Sequence, residues 1–441
     1  MLGVPSPLRW FIAFCIAGSP CVQGCSGFIN DTQHVLRRDP CGFWGQEIWS
    51  GSRMIRSITI GDFNGDSRPD IAARTQEGLS VLLNTGGGNF SSPIWTALPY
   101  GPALAYVTDY GVGLREVAAD FNADGKLDLA IRDRNEILFG VGDGTFLAPQ
   151  AISGEFLTFF GLTATGDFNG DQKPDLVFFV RGSLAILLGN GDGTFRFGST
   201  AELGGDGQLV VADFNRDGWS DLVYLRYPPA ANLPLLPVPG TGRQGQPDGN
   251  WVSYDQNCCD LRVFLGRGDG TFLDPVQIAE SWAGAILVAD FNDDQMPDIA
   301  ASNALLLSNG DGSFHVARSF SFINWDWYEL PAGPAAAADL DGDGRVDLVH
   351  FGTTEGRGIT GFQGKGDGTF VPANPSSFWF WENVDRRVGG IADLDGDGRP
   401  DLVTAVFGGG DGHSLPIPSG PVASSVTILL NRIERSGAPP R

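Results

Sequence analysis

Asp393-Leu394-Asp395-Gly396-Asp397-Gly398-Arg399-Pro400-Asp401 is the stretch that decides how the rest of the chain is read. Carboxylates stand at positions 1, 3, 5 and 9 of the nine, with glycine at 4 and 6. Hard oxygens at that spacing, on a backbone that glycine lets turn tightly, are the donor set Ca²⁺ requires. Position 7 would add a main-chain carbonyl. Ile391-Ala392 leads in and Leu402-Val403 leads out, apolar pairs that read as strand ends.

Six related stretches precede it: Asp62–Asp70 (DFNGDSRPD), Asp120–Asp128 (DFNADGKLD), Asp167–Asp175 (DFNGDQKPD), Asp213–Asp221 (DFNRDGWSD), Asp290–Asp298 (DFNDDQMPD) and Asp339–Asp347 (DLDGDGRVD). Their starts are 46 to 58 residues apart, except for one step of 77. A unit recurring at that period points to a propeller or array, because one such unit cannot bury its own faces. An EF-hand is excluded. Its twelfth position needs a bidentate Glu, and Thr404, His350 and Ala73 stand there.

The third repeat shows the grammar of each unit most clearly. Leu162–Gly166 reads as a strand into the loop and Leu176–Val180 as the strand out of it. Leu184–Leu188 follows, then a glycine turn over 189–194, then a strand opened by Phe195. Four strands in each of seven units predict an all-β, seven-bladed propeller, each blade an antiparallel meander. Repeat seven stops at Val426–Asn431, one strand short. The segment Gly42–Trp49 precedes the first loop and has no repeat of its own, so it is expected to supply that strand and close the ring. Tyr227–Cys259 and residues 404–425 read as long Gly- and Pro-rich loops in blades four and seven.

Composition agrees with many short strands: 63 glycines, 11% aromatic residues and only 18% charged. The net charge of −23 argues against nucleic acid or an anionic membrane as partner. The carboxylates at the ligand positions equal that excess in number, so seven divalent ions would cancel more than half of it. Residues 1–25 read as an export signal, with Arg9 before the apolar run Trp10–Ala17, too short to span a bilayer. Val22-Gln23-Gly24-Cys25 also has the outline of a lipobox, which would anchor the chain through a lipid at Cys25. Residues 26–40 read as a linker, 41–431 as the propeller and 432–441 as a tail. The expected location is secreted or cell-surface, periplasmic or outer-membrane in a bacterium. Cys41, Cys258 and Cys259 remain beyond the leader; a bridge from Cys41 to either of the adjacent pair, or the rarer one between Cys258 and Cys259, leaves one thiol over.

Seven copies of this loop, most followed by a G-x-G-D-G-T-F turn, resemble the FG-GAP-like (VCBS) repeat family, whose members include integrin α-subunit propellers and fungal propeller lectins. The resemblance covers about residues 43–431 and implies a seven-bladed propeller carrying up to seven Ca²⁺ ions. The ligands it implies are Asp339, Asp341, Asp343 and Asp347 in blade six, and Asp393, Asp395, Asp397 and Asp401 in blade seven. Blades two and four offer Asp120, Asn122, Asp124 and Asp128, and Asp213, Asn215, Asp217 and Asp221. Blades one, three and five offer Asp62, Asn64, Asp66 and Asp70; Asp167, Asn169, Asp171 and Asp175; and Asp290, Asn292, Asp294 and Asp298. In these three, Ser67, Gln172 and Gln295 replace glycine at position 6, so weaker sites are expected there and the strongest in blades six and seven.

Other signals have plainer readings beside the functional ones. Arg267-Gly268-Asp269 spells an integrin-ligand tripeptide but fills the glycine-turn slot of its repeat. Trp325, Trp327, Tyr328 and Phe378–Trp381 offer rings for stacking on sugars, although alternate members of a strand face the core. His34, His315, His350 and His413 have no nucleophile at motif spacing, so no enzyme is expected. The expected function is a Ca²⁺-binding extracellular recognition or adhesion module for glycans or a surface protein. The alternatives are a secreted polysaccharide lyase or hydrolase, or a purely structural surface protein.

Overall fold

The computed structural model describes residues 37–38, 43–51, 55–75, 77–98, 116–131, 134–152, 162–180, 182–204, 206–227, 259–281, 286–301, 304–318, 334–352, 358–372, 386–406 and 424–431. All the regular structure among them is β. Seven antiparallel sheets follow one another in chain order, each opened by a strand that runs into one aspartate loop. Blade three has the predicted order: Leu162–Gly166, Asp175–Val180, Ser183–Gly189 and Phe195–Glu202 pair in sequence. The first strands of all seven blades touch their neighbours in a closed cycle, the strand of blade seven meeting that of blade one. They therefore surround the central axis. The chain is a seven-bladed β-propeller.

Closure follows the expectation. Phe43–Gly51 pairs antiparallel with Ser424–Asn431, from Phe43 opposite Asn431 to Gly51 opposite Ser424. Blade seven is thus built from both ends of the described chain. Arg37–Arg38, within the segment read as a linker, pairs with Trp44 and Gly45 and adds a short fifth strand. One boundary differs from the sequence reading. Thr404–Val406 completes the strand Asp401–Val406, so the blade-seven loop begins later than residue 404, and Ser424 and Ser425 already belong to the next strand. The export signal, the tail, most of both long loops, Cys41, Cys258, His34, His413 and the aromatic clusters lie outside the described residues.

The core is distributed among the seams between blades. In the second strand of blade one, Ile71 and Ala73 face blade seven while Ala72 faces blade two. In blade four, Leu222 and Tyr224 face blade three while Val223 and Leu225 face blade five. Side chains alternate across a strand, and here both faces are covered, so every residue of Asp70–Thr75 is buried. That explains why second strands are continuously apolar in sequence rather than alternating.

A second device ties each blade to the next. The residue at position 2 of each loop, Phe or Leu, is buried, and its carbonyl always accepts a hydrogen bond from the following blade. Gly144 N donates to Phe63 O at 3.0 Å, Gly193 N to Phe121 O at 2.9 Å, Gly270 N to Phe168 O at 2.8 Å and Gly368 N to Phe291 O at 3.1 Å. In blades one, five and seven side chains make the joint instead. Asn84 Nδ2 donates to Leu394 O at 2.8 Å, Ser308 Oγ to Phe214 O at 3.5 Å and Asn431 Nδ2 to Leu340 O at 2.5 Å. Ring pairs reinforce the contact where both partners are Phe. Phe63–Phe146, Phe121–Phe195, Phe168–Phe272, Phe214–Phe314 and Phe291–Phe370 all meet edge to face at 5.6 to 6.0 Å. The Phe of D-F-N and the Phe of G-D-G-T-F are therefore two halves of one inter-blade joint.

Candidate metal centres

All seven loops have the same backbone. In blade seven Asp393 Oδ1 accepts from the amides of Gly396 and Asp397, at 2.8 and 3.1 Å, and its Oδ2 from Gly398 at 2.8 Å. The wrap needs positive φ at two places. Position 6 is left-handed at Gly398 (82°), and also at Ser67 (64°), Gln172 (62°) and Gln295 (65°). Position 4 is left-handed as well, which the sequence reading missed: Ala123 (58°), Arg216 (60°) and Asp293 (60°) stand where blades one, three, six and seven have glycine. Side chains with a Cβ are disfavoured there, so blades two and four carry one strained residue and blade five two. Only blades six and seven have glycine at both positions.

Position 9 has a special place. Each of these aspartates opens a second strand and is buried. Asp401 Oδ2 accepts from Leu394 N at 2.8 Å and Oδ1 from Asn431 N at 2.6 Å. Asp175 does the same with Phe168 N and Gly189 N, at 2.8 and 2.7 Å. One carboxylate thus fixes the loop to the third strand of its own blade. Burial raises its pKa, and the neighbouring loop carboxylates add to the effect, while the two amide hydrogen bonds oppose it. The result is about 6 for Asp70, Asp175, Asp221, Asp298 and Asp347, and about 7 for Asp401.

Asp339, Asp341 and Asp347 each offer an oxygen within 4.8 Å of the others, as do Asp393, Asp395 and Asp401. Oxygens bound to one Ca²⁺ at 2.3–2.6 Å lie at most about 5 Å apart, so both sets suit a hard divalent ion. In most of the other loops Asn at position 3 turns its amide to position 5, as Asn64 does to Asp66 at 2.9 Å and Asn215 to Asp217 at 2.7 Å. Position 5 stands outside both three-carboxylate sets, and a basic residue at position 7 lies beside its outer oxygen. Arg399 Nη2 lies 2.6 Å from Asp397 Oδ2 and Arg345 Nη1 3.9 Å from Asp343 Oδ2. Arg68 pairs with Asp66, Lys126 with Asp124 and Lys173 with Asp171 in the same way. These basic residues stand in register in the sequence, but their role shows only once the loop is folded.

Blade four breaks that pattern with Trp219. Its indole lies on the glycine turn of its own blade and reaches the loop of blade three. A Cβ on Gly268 would fall 2.2 Å from the indole Cε2, and one on Gly170 3.3 Å from Nε1. The residue remains 38% exposed. Trp219 thus roofs the Arg267-Gly268-Asp269 turn. Asp269 Oδ1 accepts from both the amide and the hydroxyl of Thr271, at 2.9 and 2.6 Å, and Arg267 Nε donates to Phe272 O at 3.2 Å. The tripeptide is engaged in its own turn. Of the histidines, His315 is exposed beside Asn309, its Nδ1 3.1 Å from the amide oxygen.

The raised position-9 values set a pH dependence. Between about pH 4 and 7 the folded protein binds more protons than the unfolded chain, so without metal its stability falls as pH rises through that window. Ca²⁺ held by these loops would draw on the deprotonated carboxylates and so reverse the trend. In EDTA, the melting temperature is expected to be higher at pH 5 than at pH 7.5, and in millimolar Ca²⁺ the order is expected to invert. A melt in EDTA that rises with pH contradicts the burial argument.

A family model described as the FG-GAP-like repeat matches residues 62–131, 120–178, 167–224 and 339–404, together slightly over half of the chain. The loop of blade five lies outside those stretches. No curated protein matches the sequence. Among solved structures, an Agrocybe aegerita lectin described as recognising non-reducing terminal N-acetylglucosamine is 20% identical, with a TM-score of 0.52 over 74% of this chain and 81% of the lectin. BBS1N in complex with ARL6DN is 11% identical, with a TM-score of 0.44 over 88% of this chain and 98% of that one. The exotype rhamnogalacturonan lyase YesX is also 11% identical, with a TM-score of 0.43 over 88% and 73%.

Proposed function

The chain belongs to the FG-GAP-like repeat family, and on that footing we propose that it is an extracellular, calcium-loaded recognition propeller whose ligands are glycans bound at the seams between blades. Calcium would be held by position-1, -3, -5 and -9 oxygens, foremost Asp339, Asp341 and Asp347 and Asp393, Asp395 and Asp401. It would supply fixed positive charge that offsets the crowding of carboxylates, leaving the seams rigid. Outside the cytoplasm, where millimolar Ca²⁺ is available, even modest affinity keeps such loops filled.

The observation that carries the word glycan is Trp219. A broad, partly exposed indole fixed between two glycine-rich backbones is a platform for the apolar face of a sugar ring, and the surrounding loop and turn supply polar edges. The Agrocybe lectin, built on this architecture, is described as a sugar binder. The test is a glycan array probed in millimolar Ca²⁺ and again in EDTA, with Trp219→Ala alongside. Specific binding by the native chain, weakened at least tenfold in Trp219→Ala at unchanged melting temperature, supports the reading. Silence across the array, or turnover of a polysaccharide by the purified protein, overturns it. The second of those outcomes would make the chain an enzyme.

A further inference from the structure

We infer that the seam between blades three and four also carries an anion subsite, formed by Arg226 and Arg262 and suited to the carboxylate of an acidic sugar such as a uronate. This deepens the glycan reading and rests on it. Arg226 and Asp260 are directly opposite on paired strands, and Arg262, two residues on, shares their face of the sheet. Asp260 is nearly enclosed, its side chain 9% exposed, and it divides itself between the two arginines. Arg226 Nε donates to Oδ1 at 2.5 Å and Arg262 Nε to Oδ2 at 2.6 Å.

The charge count points outward. One carboxylate serves two guanidinium groups, so the triad has a net positive charge in a chain of net charge −23. Among the described residues, Asp260 is the sole acidic partner of both arginines. Each guanidinium gives its Nε–H to Asp260 and retains four N–H donors on its Nη edge. Their side chains are 27% and 28% exposed, enough to meet a ligand and too little for full hydration. A planar anion taking one N–H pair from each would complete the balance that Asp260 leaves open. The site faces blade three, where a Cβ on Gly204 would come within 3.8 Å of Arg226 Cδ. It lies at the end of the strands away from the metal loops, about 17 Å along the chain from Asp221. No metal ligand takes part.

The experiment is isothermal titration in millimolar Ca²⁺ with an oligogalacturonate, its carboxyl-reduced neutral counterpart and inorganic sulfate. Melting temperature is followed for every variant. The native chain is expected to bind the oligogalacturonate, to lose affinity as salt is raised, and to bind the other two at least tenfold more weakly. Arg262→Gln and Arg226→Gln should each cost about ten- to a hundredfold. Arg262→Lys retains the charge without the planar fork and should fall between native and Gln. That ordering at constant melting temperature separates ligand contact from a merely structural triad. Equal binding by Arg262→Gln and the native chain overturns the subsite. So does sulfate binding as tightly as the oligosaccharide. Binding of neutral glycans without uronate binding overturns the subsite and leaves the glycan reading standing, while binding of no glycan at all overturns both.

Discussion

Deleting residues 41–51 is expected to leave a chain that no longer melts as one unit, or that melts ~15 °C or more below the native protein. Phe43–Gly51 covers the third strand of blade seven along eight paired positions. Val426, Ile428 and Leu430 of that covered strand belong to the core seam between blades seven and one. Ile48 packs against the same cluster. Exposing several such side chains costs about 1.5–3 kcal/mol each, against a total stability for a typical domain of about 5–15 kcal/mol. The deletion also opens an unpaired strand edge and breaks the only blade made from both chain ends, so aggregation should accompany the loss. Adding a peptide of residues 41–51 in excess should restore part of the melting temperature. A near-native melt of the truncated chain would show that the ring does not depend on this closure.

Asp401→Ala should be the most damaging single substitution among the loops, costing about 3–5 kcal/mol in urea denaturation without calcium. The side chain is fully buried, and both oxygens accept from buried main-chain amides, those of Leu394 and Asn431. Alanine leaves both donors unpaired and a cavity beside them. Asn431 is also the residue whose amide crosses to Leu340 of blade six, so the damage spreads across the seam. Asp397→Ala is the control. Asp397 is exposed at the loop tip, and its loss should change metal-free stability by about 1 kcal/mol or less while weakening any stabilisation that bound calcium would add. If the two variants were equally destabilised in EDTA, position 9 would have no structural role beyond that of its neighbours.

The division of labour at position 9 bears on how metal and fold are linked. The side chains at positions 1, 3 and 5 belong to the loop, whereas the ninth belongs to the strand it begins. A cation drawing on all four would therefore bridge loop tip and sheet, and position 9 in turn accepts from the position-2 amide, whose residue gives its carbonyl to the joint with the next blade. Calcium removal should thus be felt as loosening between blades rather than as fraying of single loops.

The repeat alone determined the architecture. Seven aspartate loops in register, each leading into an apolar strand, fix the number of blades, the strand order and the closing role of Gly42–Trp49, because each is local or follows from counting. The oxygen donors of the loops were equally legible, since Asp and Asn at fixed spacing announce themselves. Tertiary structure decided what depended on the partner across a seam. That position 4 is left-handed at Ala123, Arg216 and Asp293 is a backbone fact that residue identity conceals. That Asn84 and Asn431 replace a glycine amide at the ring joints depends on strands brought together from far along the chain. Arg226, Asp260 and Arg262 are ordinary strand residues in one dimension, with a long insertion between the first and the other two. Only pairing across the sheet makes one carboxylate answer to two arginines, because side-chain electrostatics are set by neighbours in space, and the sequence names only neighbours along the chain.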